Sequence, residues 1–176
     1  MREKQRLSRL RFNFGYLLDG DLGERRDIEL DYPTIEVSDD VTLTPLKGKF
    51  RATRTSKGIY LKGNLKSVIE TECTRCLETV LLPITFELND LFYHPPSTAP
   101  AGEFSINDDG ILDLAPLIRE LSLLSIPMQV YCREACKGIC VHCGQNLNEG
   151  ECDCEVDDID PRLAGLRALL EAEDDQ

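Results

Sequence analysis

The spacing of eight cysteines constrains this chain more than any other feature. It reads Cys73-x2-Cys76 and then Cys132-x3-Cys136-x3-Cys140-x2-Cys143-x8-Cys152-x-Cys154. A tight CxxC turn lets two thiolates reach one ion, and Gly144, directly after the second pair, eases that turn. Four thiolates close a tetrahedral zinc site. The pattern therefore predicts two Zn²⁺ ions, with all eight cysteines as ligands.

Two groupings of these cysteines are compatible with the spacing. In the local scheme, Cys140, Cys143, Cys152 and Cys154 bind one ion, while Cys73 and Cys76 join Cys132 and Cys136 around the other. In the alternative, both CxxC turns share one ion, as in zinc ribbons, and the other four cysteines hold the second. We prefer the local scheme because closing a short loop costs less entropy.

The cellular compartment determines which chemistry the eight cysteines can have. The N-terminus lacks the apolar stretch of about 7–15 residues that a signal peptide needs, and no run reaches the roughly 18–20 apolar residues that span a bilayer. A cytoplasmic protein without a membrane partner is expected, and in a reducing cytosol clustered cysteines indicate metal ligation or redox chemistry.

A redox CxxC usually opens a helix after a strand, whereas CTRC lies in a hairpin. The spacing from Cys136 to Cys143 also matches an iron–sulfur motif, but that motif stands near the start of large barrels.

The first ninety residues read as β-strands. Leu10, Phe12 and Phe14 alternate with polar residues, and a second run covers 28–32. The clearest hairpin joins 46–55 to 59–73 through a turn at Gly58. The chain then returns over 82–88, which places the first CxxC at the tip of a second hairpin. The expected fold class is α+β, with an antiparallel sheet or small open barrel, two short helices and a cysteine-rich zinc-binding C-terminal segment.

The remaining segments complete this plan. Residues 94–110 are an irregular excursion, mobile at least in part. A helix follows, with Asp113 as cap, Pro116 in its first turn and an apolar stripe that ends at Leu124. A last helix starts at Asp160-Pro161. We expect a β-rich domain over 1–128 and a cysteine-rich zinc segment with the terminal helix over 129–176, packed on the first.

Charge is spread unevenly along the chain. The formal net charge is −12, yet residues 47–66 carry seven cations and no acid. Because alternate residues of a strand share a face, this hairpin could present a basic strip to a phosphate backbone. The candidate RNA-binding residues are Lys47, Lys49, Arg51, Arg54, Tyr60, Lys62 and Lys66. The alternative is a solvated sheet face that needs no partner.

No catalytic constellation stands out. Catalytic zinc keeps an exchangeable water and usually has His or carboxylate ligands, but the chain has only two histidines. We read His142, inside CVHC, and His94, in the irregular segment, as surface side chains. There is no Gly-rich phosphate loop, no Ser/His/Asp set and no paired carboxylate motif. A non-enzymatic protein without a small-molecule substrate is expected.

Four segments resemble the YceD family. They are ECTRCLE, DLAPLIRELSLLSIP, CKGICVHCGQNLNEGECDC and IDPRLAGLRALL, which together cover roughly residues 60 to 172 in order. Members of that family are called large ribosomal RNA subunit accumulation proteins. The resemblance implies bacterial or organellar origin and a part in rRNA processing or ribosome assembly, and it supplies no catalytic residue.

Together these observations predict a zinc-binding accessory protein for the accumulation of large-subunit rRNA. Its partner would be ribosomal RNA, a large-subunit ribosomal protein or an assembly intermediate. The alternatives are a zinc-stabilised regulatory module that contacts proteins only, and a thiol redox protein. The sequence does not indicate an oligomeric state.

Overall fold

Alternating apolar and polar residues produce three long strands that follow one another in the chain. The structure, a computed structural model, describes residues 10–154. In chain order its elements are β1 (Arg11–Asn13), α1 (Gly15–Leu18), β2 (Arg25–Tyr32), β3 (Ile35–Ser38), β4 (Val41–Leu43), β5 (Leu46–Thr55), β6 (Gly58–Glu72), β7 (Thr79–Tyr93), β8 (Ile111–Asp113) and α2 (Ala115–Leu124).

The long strand β6 is the centre of the main sheet. It pairs antiparallel with β5 on one side and with β7 on the other. Beyond the end of β5, β4 continues the pairing at Leu43 and Ile69, and β3 pairs with β4. The other side of β5 pairs with β2, while β1 and β8 form a separate two-stranded sheet. The predicted α+β class with an open antiparallel sheet and two helices is confirmed.

The hairpin between β5 and β6 depends on the glycine that the sequence placed at its turn. Gly58 has φ +147°, and a Cβ there would lie 2.0 Å from the carbonyl oxygen of Phe92 on β7. Only glycine allows the three strands to approach so closely. Along β6 the predicted alternation holds, because Ile59, Leu61 and Leu65 are buried while Lys62 and Lys66 are exposed.

The core forms between the inner face of the main sheet, β1 and α2. Leu114, Leu117 and Ile118 of the predicted helical stripe are buried in it. Leu124, which we placed on the same stripe, is 74 % exposed because the helix ends there. The cap residue is Leu114 rather than Asp113, although Asp113 Oδ1 accepts the Ala115 N–H at 2.9 Å. Neither described helix has the length and apolar character needed to cross a membrane.

The irregular segment 94–110 is tied to the core. Phe104 stacks on Phe92 with ring centroids 5.4 Å apart, and Ile106 is fully buried. The N–H of Tyr93 donates to Phe104 and the N–H of Ile106 donates to Tyr93, at 3.0 and 2.9 Å. A short 3-10 turn covers Pro96–Thr98. The prediction of irregular structure is confirmed, and these contacts anchor its second half, while the expected partial mobility stays a prediction.

The described residues divide into two compact units. One holds all described residues up to Thr74 together with Glu78–Cys132, and the other combines Arg75–Leu77 with the described residues from Arg133 onward. The domain bounds predicted from the sequence, 1–128 and 129–176, stay a prediction. The helix predicted from Asp160 lies outside the described residues.

Candidate metal centres

The eight cysteine sulfurs gather into two groups of four. One contains Cys73, Cys76, Cys132 and Cys136, and the other Cys140, Cys143, Cys152 and Cys154; within each, the sulfurs lie within 4.8 Å of one another. Tetrahedral zinc with Zn–S bonds of about 2.3 Å needs sulfurs roughly 3.8 Å apart. Both groups therefore fit one such ion. The grouping is that of the local scheme, not the one in which both CxxC turns share an ion.

A tight turn shapes the second group. The N–H of Cys140 donates to Gln145 at 2.8 Å and the N–H of Gly144 donates to Cys140 at 2.9 Å. Gly144 has φ +75°, which is the left-handed conformation that its place after the CxxC pair predicted. The turn aims the N–H groups of Cys143 and His142 at the Cys140 sulfur, and these bonds lower the pKa of Cys140 to about 6. Cys140 is therefore ready to ligate at neutral pH.

The same crowding has the opposite effect on a neighbour. The Cys154 thiol donates its proton toward Cys143, and burial and Cys140 oppose its ionisation further, so the pKa of Cys154 rises to about 12. Four sulfurs this close cannot all become thiolates unaided, because like charges repel. A bound dication removes that penalty, as structural zinc does when it displaces thiol protons.

The CTRC turn repeats the backbone conformation of the second turn with a different residue. Leu77 follows Cys76 as Gly144 follows Cys143, and it is the described non-glycine residue with a positive φ, at +61°. The N–H of Cys73 donates to Glu78 at 2.8 Å across this turn. The N–H and hydroxyl of Thr74 both donate to the Val130 carbonyl, at 2.8 and 3.1 Å.

Asn148 supports a ligand of the first group. Its side-chain amide donates to the Cys136 sulfur at 3.4 Å and to Asn146 Oδ1 at 2.8 Å. Its Oδ1 accepts the N–H of Lys137 at 2.9 Å, which fixes the amide orientation. A donor to a metal-bound sulfur stabilises the thiolate. No sequence pattern signals this role, because a contact across twelve residues follows no spacing rule.

The histidines stand outside both groups. His142 is exposed, as we expected of a surface side chain. His94 is only half-buried rather than solvent-exposed, and its backbone N–H donates to the Lys57 carbonyl at 2.9 Å. The ligand set of each group thus consists of thiols alone within the described residues.

Half of the predicted basic strip is neutralised by β2. Across the β2–β5 ladder, Arg51 faces Asp27, Lys49 faces Glu29 and Lys47 faces Asp31. Each pair forms a salt bridge, with N–O distances of 2.6, 3.3 and 3.1 Å in the same order. The sequence alone does not show this neutralisation, because β2 lies about twenty residues before β5 and no local pattern indicates that the two strands pair. These three cations are therefore less available to a phosphate than their sequence suggests.

The other half of the strip keeps its positive charge. Lys62 lies between Arg51 on β5 and Asn89 on β7, and Lys66 lies between Lys47 and Thr85. Neither lysine forms a salt bridge within residues 10–154. Tyr60 is on the same face and its hydroxyl donates to Asn89. Arg54 does not join them, because it lies on the inner face and its guanidinium donates to the carbonyls of Thr55 and Gly58.

Comparison with known proteins gives one family. The profile of the YceD family, described as "Large ribosomal RNA subunit accumulation protein YceD", matches residues 61–170. The chain is 29 % identical over 150 residues to the uncharacterized protein YlbN of Bacillus subtilis (strain 168), a match over 84 % of this chain and 87 % of that protein. No solved structure matches the chain.

Two further relatives are longer than this chain. The uncharacterized protein Rv2926c of Mycobacterium tuberculosis is 32 % identical over 129 residues, which is 71 % of this chain and 62 % of that protein. The large ribosomal RNA subunit accumulation protein YCED homolog 1, chloroplastic, of Arabidopsis thaliana is 28 % identical over 168 residues, 78 % of this chain and 52 % of that protein. Because the family profile matches more than half of the chain and both cysteine groups fall within that match, the protein belongs to the YceD family of large ribosomal RNA subunit accumulation proteins.

Proposed function

We propose that this chain is a non-enzymatic, zinc-binding accessory protein for the accumulation of large-subunit rRNA, and that it binds the RNA through Lys62 and Lys66. Zinc occupies both cysteine groups in this proposal. Each ion takes four thiolates, which leaves no open position for a substrate or a catalytic water. The role is therefore one of binding and assembly. A cytoplasmic location, or its organellar equivalent, is part of the proposal because eight thiols need a reducing compartment.

The observation that carries the proposal is the unbalanced charge of β6. Lys62 and Lys66 each face a cation on β5 and an uncharged residue on β7. Like charges opposite one another destabilise a sheet. A bound anion would relieve the repulsion between these neighbouring cations. A phosphate backbone supplies repeated anions along one line.

The geometry of this face suits a backbone rather than a single anion. Four strand residues place Lys62 and Lys66 about 13 Å apart. A hollow of about 460 Å³ beside Lys62 is lined by Asp27, Lys49, Phe50 and Arg51. Lys62 is the unpaired cation of this hollow among the described residues, since Lys49 and Arg51 are paired with Glu29 and Asp27.

Large-subunit rRNA can also be reached through a ribosomal protein. Strong overall acidity favours a basic protein partner and opposes tight nonspecific binding of nucleic acid. A protein that contacts only such a partner would still bind zinc, but its function would not depend on Lys62 and Lys66. This second function is the one against which the proposal is tested.

The test measures RNA association and its dependence on these two lysines. Purified zinc-loaded protein is titrated into labelled fragments of large-subunit and small-subunit rRNA, followed by fluorescence anisotropy. The Lys62→Gln/Lys66→Gln variant should bind the large-subunit fragments about tenfold more weakly. The matched control, Lys47→Gln/Lys49→Gln, removes the same charge from two lysines that are already paired with Asp31 and Glu29. Equal losses in both variants would mean a general charge effect, and no binding by the unaltered protein would favour the protein-only function.

A further inference from the structure

A second surface of the molecule has the chemistry of an anion site. A cleft of about 660 Å³ opens between β1, α1 and the start of β2, a size typical of small-molecule sites, which span roughly 300–1,000 Å³. Its lining includes Arg11, Phe12, Asn13, Tyr16, Arg26 and Ile28. None of these residues belongs to the metal groups or to the lysine face of β6.

The charge of this cleft is wholly positive. Arg11 and Arg26 contribute two guanidinium groups, and the described lining contains no carboxylate. Within residues 10–154 neither arginine takes part in a salt bridge. Most exposed cations of the neighbouring strands are paired with acids, as on β5. Two unpaired guanidinium groups in one concave place favour an anionic ligand.

The cleft also offers a flat surface. The guanidinium carbon of Arg26 lies 5.0 Å from the centroid of the Tyr16 ring, so the two groups form a cation–π stack. Tyr16 is nevertheless 46 % exposed. Phe12 and Ile28, both partly buried against the core, add apolar surface. Planar stacks of this kind are the surfaces on which proteins receive unstacked nucleobases.

A neutral polar group completes the lining. Asn13 Oδ1 accepts the N–H of Gly15 at 2.9 Å, which orients the amide and leaves its NH₂ group directed away from that bond. An amide donor of this kind can bond a base edge or a ribose hydroxyl. A carboxylate peptide would use the two arginines, but it would have no use for the stack.

We propose that this cleft holds one unpaired nucleotide of a bound RNA, with its base on the Arg26–Tyr16 stack and its phosphate on Arg11. The inference rests on the proposed function for the presence of RNA. The connection between the two surfaces is short. Arg26 and Asp27 are consecutive on β2, which ends the sheet, and they lie on opposite faces of it. An RNA strand on the lysine face therefore reaches the cleft by passing around this edge.

The test separates single-stranded from paired RNA. The zinc-loaded full chain is titrated into a labelled single-stranded RNA and into a fully paired hairpin of the same composition. Tyr16→Leu and Arg26→Gln should each weaken single-strand binding by about 5- to 30-fold, as loss of one stacked base does, and leave hairpin binding unchanged. Tyr16→Phe keeps the stack and should bind as the unaltered chain does. Arg25→Gln removes the same charge from the other face of β2 and should affect both RNAs alike.

Each outcome decides one of the two proposals. If the unaltered chain binds neither RNA, the proposed function fails and this inference fails with it. If it binds RNA but Tyr16→Leu and Arg26→Gln leave the single-strand affinity unchanged, only the cleft assignment fails, and an acidic peptide becomes its better ligand. Equal losses for single-stranded and paired RNA also overturn the assignment. Photo-crosslinking with 4-thiouridine RNA gives an independent readout: a crosslink to the Tyr16 peptide supports it, and crosslinks only elsewhere contradict it.

Discussion

Arg51 and Asp27 face each other across the β2–β5 ladder and are joined by two hydrogen bonds of 2.6 and 3.1 Å. These bonds hold the pKa of Asp27 below its usual range and that of Arg51 above it. The charge of Arg51 is therefore balanced within the protein. Lys62, its neighbour on β6, has no such partner among the described residues. The two cations look alike in the sequence and differ in what they can offer a ligand.

This difference predicts different salt dependences of RNA binding. Lys62→Gln/Lys66→Gln should reduce the slope of log affinity against log salt by about 0.7–0.9 for each lost phosphate contact. Lys47→Gln/Lys49→Gln should change the slope less, since these lysines are already paired. Anisotropy titrations at several salt concentrations measure both. Slopes that fall equally in the two variants would show that the β2 carboxylates do not reduce the contact of Lys47 and Lys49 with RNA phosphates.

Zinc stoichiometry distinguishes the two cysteine groupings. Elemental analysis of protein purified under reducing conditions should give two zinc ions per chain. Cys73→Ser/Cys76→Ser removes ligands of one group and should leave one ion, whereas Cys73→Ser/Cys143→Ser damages both groups and should leave none. If both CxxC turns shared an ion, the second variant would retain one. Iron in place of zinc would contradict the four-thiolate zinc assignment.

Asn148 should matter to one zinc ion only. Asn148→Ala removes the amide that donates to Cys136, and loss of such a partner typically weakens metal affinity by about 10- to 100-fold. Competition with a chromophoric chelator should therefore show one of the two ions released more readily. Asn64→Ala, an exposed amide on β6, is the matched control and should release neither. Equal weakening of both ions would point to a general loss of structure.

Leu77 occupies a backbone conformation that suits glycine better. The left-handed region costs a side-chain-bearing residue about 1–2 kcal/mol, while the added flexibility of glycine costs about 0.5–1 kcal/mol. The Leu77 side chain is 58 % exposed, so little packing is lost with it. Leu77→Gly should therefore raise the free energy of unfolding by up to about 1 kcal/mol. Urea denaturation of the zinc-loaded protein measures this change. Leu77→Val is the control and should lower the free energy of unfolding, because a β-branched residue tolerates a positive φ poorly.

The pairing of Arg119 on α2 with Asp40, in the turn between β3 and β4, should make stability depend on pH. Arg119 Nε donates to both carboxylate oxygens at 2.9 and 3.1 Å, and its bonds, with that of Ser38, hold the pKa of Asp40 well below the ordinary 3.8. A depressed folded-state pKa adds stability above the unfolded value and loses it as the pH falls through the folded value. Arg119→Gln should lower Tm by a few degrees at most near neutrality, because the pair is exposed.

That difference in Tm should shrink as the pH falls below about 4. Acid also releases zinc, but it does so from the unaltered protein and from the Arg119→Gln variant alike. The two Tm values can therefore be compared at each pH. In an Asp40→Asn background the Arg119 substitution should have little effect at any pH. A constant difference between pH 7 and pH 2 would show that Arg119 acts through packing rather than through this ion pair.

The parts of the fold that sequence predicted are those governed by local rules. Period-two alternation and the Gly58 turn located β5, β6 and β7, and cysteine spacing located both thiol groups with the preferred grouping. Chain segments of three or four residues, such as β4 and α1, are too short for a periodic pattern to appear. The neutralising role of Asp27 and the contact from Asn148 to Cys136 depend on tertiary pairing, which no local pattern encodes.

The place of β2 at the end of the sheet bears on how the protein avoids aggregation. An edge strand offers unpaired backbone groups to any other strand that approaches. Were a second copy to pair with β2 in an antiparallel manner, Asp27, Glu29 and Asp31 would confront the same three carboxylates of the other chain. Like charges facing across a ladder oppose that pairing. The acids that balance β5 thus also oppose self-association through the β2 edge.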